Sequence, residues 1–584
     1  MYKKNLFFIF LVSLGISFIL YGNTINGAFV YDDNFFSARS ELRSVDHLTK
    51  LWLEPYTNFE EDSSYRPLAI FSFSLNFLVF GNSPVSFHII NIILNALAVF
   101  LLFLLVLKFF NNRNLAFFSA LLYAFLPIHT EAVAFIKSRD EILATVFVLL
   151  AWLLFIKYTE DKIINWKGII ISSLLFFLAI LSKETFVLSP LLFFAIFIIN
   201  KKVKIKDLLQ MVLIFLPVIL LYFLMRIKTL GLYALGNSRN DFVTNPLFYA
   251  NLQQHLWTPF KIASMYIGKI FIPINLSATY FYNQVTLVTN PLHSIQVILG
   301  LVFLCTLVLL VSVKKTRITL CGIGAIIFLI SYFMVSKFLF QAGDIVAERW
   351  MYFPSAGLSM IGGYVIFRIY NYKRELGLII LTVILITYGF IVVTRNKVWL
   401  TSDALFGSMI TDAPNSVQGY LMLNVLNFHV KTRENKVSEL TGWIDSAYKI
   451  APNYPPVLNW KGIQALNNEN FESAEKYFLD AVKGDNRPNY LQNLAKFYII
   501  YSSFYNKNRQ YNASIKQLIK LRALVPDSWE PYFLLGQAYS FKKDYPKATY
   551  YFKKAVSLEP NDADLKKSLE SLEKSIDLLR LAPP

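Results

Sequence analysis

Between residues 5 and 394 the sequence is a succession of apolar runs broken by short connectors, many of them basic, and this limits the fold more than any other feature. An α-helix needs about 20 apolar residues to cross a bilayer. Hydrophobic residues make up 55% of the 584 and charged residues only 16%, against about 25% charged in an ordinary soluble domain. The deficit lies before residue 395; beyond it Asn, Lys, Glu and Tyr become prominent. The fold class that follows is all-α, a polytopic transmembrane helical domain followed by a water-exposed helical region.

Spans are expected near 5–21, 86–108, 114–128, 141–157, 167–182, 185–200, 207–225, 294–313, 318–336, 350–369 and 376–394, about 11 in all. Basic clusters mark cytoplasmic ends. With these spans Lys3/Lys4, Lys108/Arg113, Lys157/Lys162/Lys167, Lys201/Lys202/Lys204/Lys206, Lys314/Lys315/Arg317 and Arg368/Lys373/Arg374 all fall on one side. The N-terminus is then cytoplasmic and the C-terminal tail outside. The run from Leu6 to Tyr21 resembles a signal peptide, but Tyr21-Gly22-Asn23-Thr24 lacks a small-x-small cleavage site, so it reads as an uncleaved first span. Pro67–Phe80 is short and reads as a helix in the outer interface. Residues 255–273 carry Lys261 and Lys269 and would flip every later cluster if they spanned once, so they read as interfacial or re-entrant.

The domain reading is a membrane domain at 1–395, with a first outer loop at 22–85 and an outer interfacial region at 226–293, then a linker at 396–414 and a repeat domain at 415–575. The net charge of +18 is accounted for by the connectors, so no nucleic acid partner is implied. Cys305 and Cys321 lie in or beside apolar spans and read as small apolar residues.

The tail repeats. Trp529, Leu535-Gly536, Tyr539, Ala548, Phe552, Ala555 and Pro560 match the 34-residue tetratricopeptide pattern. The small residues let two helices approach, and Pro560 ends the second. Leu458, Gly462, Ala474, Phe478 and Ala481 mark an earlier unit; units around 415–452 and 490–526 are degenerate. Such arrays commonly bind a peptide or protein on a concave face. Bracing of the membrane domain is the alternative.

Ionisable groups in or beside a membrane domain raise a functional question. Asp32-Asp33 follows the first span; adjacent carboxylates can act as general base, bind a divalent metal or simply be solvated. His129-Thr130-Glu131, Arg139-Asp140-Glu141, Lys183-Glu184 and Glu348-Arg349 sit at span ends on the same side. Snorkelling explains any one of them. Recurrence at several spans suits a phosphate-bearing lipid, with cations holding the phosphate and a carboxylate acting on the acceptor.

Val30-Tyr31-Asp32-Asp33, Tyr65-Arg66-Pro67-Leu68, His88-Ile89-Ile90-Asn91, Pro127-Ile128-His129-Thr130-Glu131, Ser182-Lys183-Glu184 and Val346-Ala347-Glu348-Arg349-Trp350-Met351-Tyr352 occur in that order. As an ordered set they resemble the transmembrane and tetratricopeptide-repeat-containing O-mannosyltransferases and their prokaryotic relatives, within the GT-C superfamily. The resemblance covers nearly the whole chain. It implies a membrane glycosyltransferase, with a polyprenyl-phosphate sugar (mannose in the named members) as donor, an acceptor hydroxyl on a protein or glycan, inversion at the anomeric carbon, and a site on the extracytoplasmic face. It places Asp32 and Asp33 in the catalytic first-loop motif. Arg349, Arg139 and Lys183 become candidates for the donor phosphate, and His129, Glu131, Glu348 and Arg66 for positioning donor or acceptor. A divalent cation is left open. The short tail, with about four units, departs from the eukaryotic members and leaves the acceptor open. The Lys-, Ile- and Asn-rich text points to a prokaryotic cytoplasmic membrane. No Gly-rich dinucleotide fingerprint is present, consistent with a lipid-linked donor. The rival readings are a non-catalytic repeat scaffold anchored in the membrane and a lipid or glycan transporter; a transporter would bury charges at mid-membrane among broken helices, whereas these charges lie at span ends.

Overall fold

The computed structural model describes residues 2–57, 64–159, 166–193, 195, 204–235, 241–341, 343–433 and 437–581. Lys162, Lys201, Lys202 and most of the second half of the 185–200 run lie outside them. Among the described residues the chain is helical with no strand, and it divides into two compact units, Met1–Leu426 and Asn427–Pro584.

The expectation of 11 spans is corrected. Six helices are long and apolar enough to cross a membrane: Leu6–Thr24, Pro84–Phe110, Ile136–Tyr158, Phe215–Ala234, Ile295–Ser312 and Arg374–Trp399. A bent pair, Arg113–Phe125 with Pro127–Ala134 at 54°, makes a seventh if it counts as one span. Three runs taken as spans stop short of a crossing length or lose the α form. Trp166–Ser182 and Leu320–Phe333 are short apolar helices, and Glu184–Leu192 winds as 3-10 turns with Pro190 inside. Pro354–Tyr372 is a 19-residue helix in which serine, glycine, asparagine and arginine dilute the apolar run.

Those small residues have a packing role. A Cβ on Gly357 would sit 2.2 Å from the Gly324 carbonyl oxygen, and one on Gly324 would sit 2.4 Å from that of Gly357. A Cβ on Gly363 would come within 2.8 Å of the Ser119 backbone. Pro354–Tyr372 therefore packs backbone against backbone on two neighbours, the way helices associate where lipid removes the hydrophobic drive. Proline at the first helical position starts Pro67–Phe80, Pro84–Phe110 and Pro354–Tyr372, where its missing N–H costs nothing.

Three helices that reach the polar cluster described below carry a basic residue toward their far end. Asn91 lies early in Pro84–Phe110 and Lys108 late. Arg139–Thr159 begins at the cluster and ends past Lys157. Ser355 begins Pro354–Tyr372, which runs out through Arg368. The segment after Arg374–Asn396 returns to the polar end: Ala28 N–H donates to the Leu400 carbonyl at 2.9 Å, and Asn396 Nδ2 donates to the Leu20 carbonyl at 2.8 Å.

The second unit is an array of helices including Val437–Ile450, Pro455–Asn467, Phe471–Gly484, Pro488–Lys507, Tyr511–Leu524, Glu530–Phe541, Tyr545–Leu558 and Ala563–Leu581. Its repeat chemistry recurs at fixed places. Gly462 lies under the Phe478 ring and Gly536 under that of Phe552; an added Cβ would meet these rings at 2.8 and 2.9 Å. Ala474, Ala481, Ala548 and Ala555 are fully buried.

Candidate active site

The first loop separates the two adjacent aspartates. Tyr31 takes a left-handed conformation, φ 51°, and Asp33 opens a short helix, Asp33–Ser37. Asp33 turns inward and is buried. Its Oδ1 accepts the Lys137 backbone N–H at 2.8 Å and its Oδ2 that of Val30 at 3.2 Å. Burial pushes this carboxyl up to about 8, against the pull of the two amide donors. Asp32 keeps 19% of its side chain exposed and pairs with the Lys137 ammonium.

Arg66, just before Pro67–Phe80, forks onto Glu184, with Nε to Oε2 at 2.9 Å and Nη2 to Oε1 at 2.6 Å, and reaches Asp140 Oδ2 with Nη1 at 2.6 Å. Burial alone would lower the Arg66 guanidinium, but Glu184 and Asp140 reverse this and raise it well above its ordinary value. In return, Arg66 overcomes the effect of burial on Glu184 and holds that carboxyl well below the usual range. Lys183 sits 2.6 Å from Glu141 Oε1 and 3.4 Å from Asp140 Oδ1. It reaches them because Trp166–Ser182 packs along Arg139–Thr159 and ends beside that helix's start. Arg349 donates its backbone N–H to Glu131 Oε2 at 2.8 Å, pairs with Glu131 Oε1 through Nη1, and meets Asp344 Oδ2 with Nη2 at 2.9 Å.

These groups frame a cavity of about 500 Å³ whose walls include Tyr31, Asp32, Arg66, Lys137, Asp140, Lys183, Asp344, Arg349 and Trp350. A narrow crevice lies beside it, lined by Phe186, Leu188, Leu192, Ile330, Val335, Phe353 and again Trp350. Glu141, the partner of Lys183, is on the crevice wall.

Of the residues singled out from sequence, Asp32, Arg66, Lys183 and Arg349 line the cavity. Asp33 and Glu131 are buried behind its wall, holding the loop and Arg349. Three others serve different places. Arg139 is buried between the rings of Phe73 and Phe87, at 4.9 and 5.2 Å, with Nε on Asn91 at 2.7 Å and Nη2 on Asn76 at 3.0 Å and the Phe87 carbonyl at 3.1 Å. Its donors tie three helices together and do not face the cavity, so the expected phosphate contact gives way to a structural one. His129 lies between Tyr123 and Tyr352, ring centroids 4.6 and 4.7 Å away, and its Nε2 is 2.7 Å from Ser355 Oγ. Glu348 turns away from its neighbour Arg349; it accepts the Ser277 backbone N–H at 2.8 Å and the Tyr280 hydroxyl, and burial pushes it up to about 7.

Lys137, Asp140, Asp344 and Tyr31 are wall residues to which the sequence reading gave no role. Lys137 was within reach, two residues before Arg139 in the same polar run; Asp344 had no pattern to mark it. Among the described residues no group of three or more His, Cys, Asp or Glu converges in a way that could hold a metal ion.

Residues 64–227 match the family described as dolichyl-phosphate-mannose-protein mannosyltransferase, and residues 529–562 match the tetratricopeptide repeat. The first match contains Arg66, Asp140, Lys183 and Glu184 of the cavity network. A protein O-mannosyl-transferase of Caenorhabditis elegans, F38B6.6, is 25% identical over 76% of this chain and 63% of its own length. The chain resembles the transmembrane and tetratricopeptide-repeat O-mannosyltransferases. Human members show the same extent: TMTC1 is 26% identical over 76% of this chain and 55% of its own, and TMTC3 is 24% identical over 94% and 64%. The chain thus spans between about half and two thirds of the length of these relatives. Among solved structures, MamA from Desulfovibrio magneticus RS-1 is similar over 27% of this chain and 86% of its own, at 20% identity and a TM-score of 0.21, too low to bear on function.

Proposed function

We propose that this protein is a membrane glycosyltransferase that moves a sugar from a polyprenyl-phosphate donor to an acceptor hydroxyl. The observation that carries the reading is the cavity, which gathers three carboxylates, Asp32, Asp140 and Asp344, and four cations, Arg66, Lys137, Lys183 and Arg349, from segments that the sequence scatters between Tyr31 and Trp350. Cations in a sheltered cavity stabilise charge that develops on a leaving phosphate far better than they would in water.

Asp32 is the base in this reading, because it faces the cavity while Asp33 is buried and spends both oxygens on backbone amides. Its carboxylate takes the proton of the acceptor hydroxyl as that oxygen attacks the anomeric carbon. The bond from that carbon to the phosphate oxygen breaks, and its electron pair leaves with the polyprenyl phosphate, where Arg349 and its neighbouring cations balance the added charge. A single displacement of this kind inverts the anomeric centre.

The site belongs on the extracytoplasmic face, since the helices that build it carry Lys108, Lys157 and Arg368 at the opposite end. The repeats then lie on the side where an acceptor, a protein or a glycan, arrives. Two measurements test the proposal. Purified protein given a panel of polyprenyl-phosphate sugars is expected to release free polyprenyl phosphate with one of them; a well-folded preparation that turns over none would overturn the reading. A reporter fused after residue 400 is expected to show an extracytoplasmic tail, and a cytoplasmic one would move the site to the wrong face.

A further inference from the structure

Every cation of the cavity is already paired with a carboxylate of the same chain. Lys137 holds Asp32, Arg66 holds Asp140 and Glu184, Lys183 holds Asp140 and Glu141, and Arg349 holds Glu131 and Asp344. An incoming phosphate meets no unpaired cation among these four, and competes with a carboxylate for whichever it approaches.

The partners differ in how readily they leave. Glu131, Asp140 and Glu141 are 1–3% exposed, and a carboxylate parted from its cation in such surroundings is a buried uncompensated charge. Glu184 is more open, 28%, but is fixed by the two-pronged contact with Arg66 and does not line the cavity. Asp32 is committed to the acceptor. Asp344 is different in each respect. It lines the cavity, keeps 27% of its side chain exposed, and touches Arg349 through one hydrogen bond to one nitrogen, Nη2. It can swing into water, while Glu131 keeps Arg349 in place through both side chain and backbone.

Resting on the donor assignment above, we infer that Asp344 is an internal stand-in for the donor phosphate: its carboxylate occupies the Nη2 position on Arg349 in the free protein and is displaced when a phosphomonoester or phosphodiester anion binds. The device keeps Arg349 oriented before the donor arrives. It also makes Asp344 a competitor, so that the affinity for the phosphate is lower than Arg349 alone would give. A neutral lipid or a free sugar, unable to replace the carboxylate, is not held there.

The test is equilibrium binding of polyprenyl monophosphate to the full-length purified protein, read by quenching of tryptophan fluorescence, with donor KM and kcat measured alongside. Asp344→Asn keeps the side-chain shape and removes the competing charge. It is expected to tighten polyprenyl monophosphate and lower donor KM by about two- to fivefold, the scale of a partly exposed ion pair. Arg349→Gln is expected to weaken the same binding. Parent protein that binds polyprenyl monophosphate, with Arg349→Gln weakened but Asp344→Asn unchanged or weaker, would overturn the inference and leave the donor assignment standing. Parent protein that binds none would overturn the donor assignment, and the inference with it.

Discussion

The two units bury different things. In residues 1–426 the buried set includes Asp33, Glu131, Arg139, Asp140, Glu141, Lys183, Lys337 and Glu348; in the described part of residues 427–584 it contains Asn459, Ser502, Ser514 and Gln517 but no charged residue. The repeat unit is built as a helical solenoid, whose interior includes alanine, leucine and aromatic rings and whose ion pairs, such as Lys461 with Asp445, keep at least one partner exposed. The membrane unit holds acids and bases out of water at one end of its bundle. Burying charge is costly unless it is paired, and the membrane unit meets that cost repeatedly while the described part of the repeat unit does not meet it at all.

Four changes break or sharpen that contrast, from the largest effect to the smallest. Arg349→Gln removes the central cation of the cavity and is expected to lower kcat/KM for a polyprenyl-phosphate sugar by about 100-fold or more, the scale seen on removing a preorganised charge-stabilising donor; a loss under tenfold would place the phosphate elsewhere. Glu131→Gln removes the buried carboxylate that anchors Arg349 and is expected to destabilise the membrane unit by about 1.5–3 kcal/mol, read as a lower midpoint of thermal unfolding in detergent. Gly462→Val drives a side chain into the Phe478 ring, within 2.8 Å for its Cβ alone. That change is expected to cost the repeat unit about 1–3 kcal/mol while release of polyprenyl phosphate from the donor by the membrane unit continues; equal damage to both would erase the distinction between the units. The last change, read as a pH dependence, concerns Asp33. Its carboxyl, raised by burial to about 8 from an unfolded 3.8, gives stability that is full below pH 3.8 and is lost as pH rises through 8. Asp33→Asn cannot titrate, so its stability deficit relative to the parent is expected to be larger at pH 5 than at pH 9. A deficit independent of pH would show that Asp33 ionises as an ordinary exposed acid.

The repeat unit was easier to read than the membrane unit. Gly462, Phe478, Gly536 and Phe552 announce a helix pair because each type at each offset has one packing job, and the structure uses them so. Span counting was less secure because hydropathy does not report where a helix stops: Pro190 sits in a 3-10 segment, and a sharp bend before Pro127 divides another apolar run. Of the polar pairs, Lys183-Glu184 and Glu348-Arg349 each place one member on the cavity wall, and which member does so depends on side-chain direction at a helix end. For the same reason Asp140 and Lys137 line the wall while Arg139 between them does not, and Glu348 points away while Arg349 points in. Asp344 carried no motif; only its contact with Arg349 makes it visible.

The most direct test of the central claim is the rate at which Asp32→Asn releases polyprenyl phosphate from the preferred donor in the presence of acceptor, with binding of polyprenyl monophosphate measured on the same preparation. The account predicts a fall of about 100-fold or more, the scale of losing a general base, with lipid-phosphate binding retained. Transfer by Asp32→Asn within a few fold of the parent would contradict it.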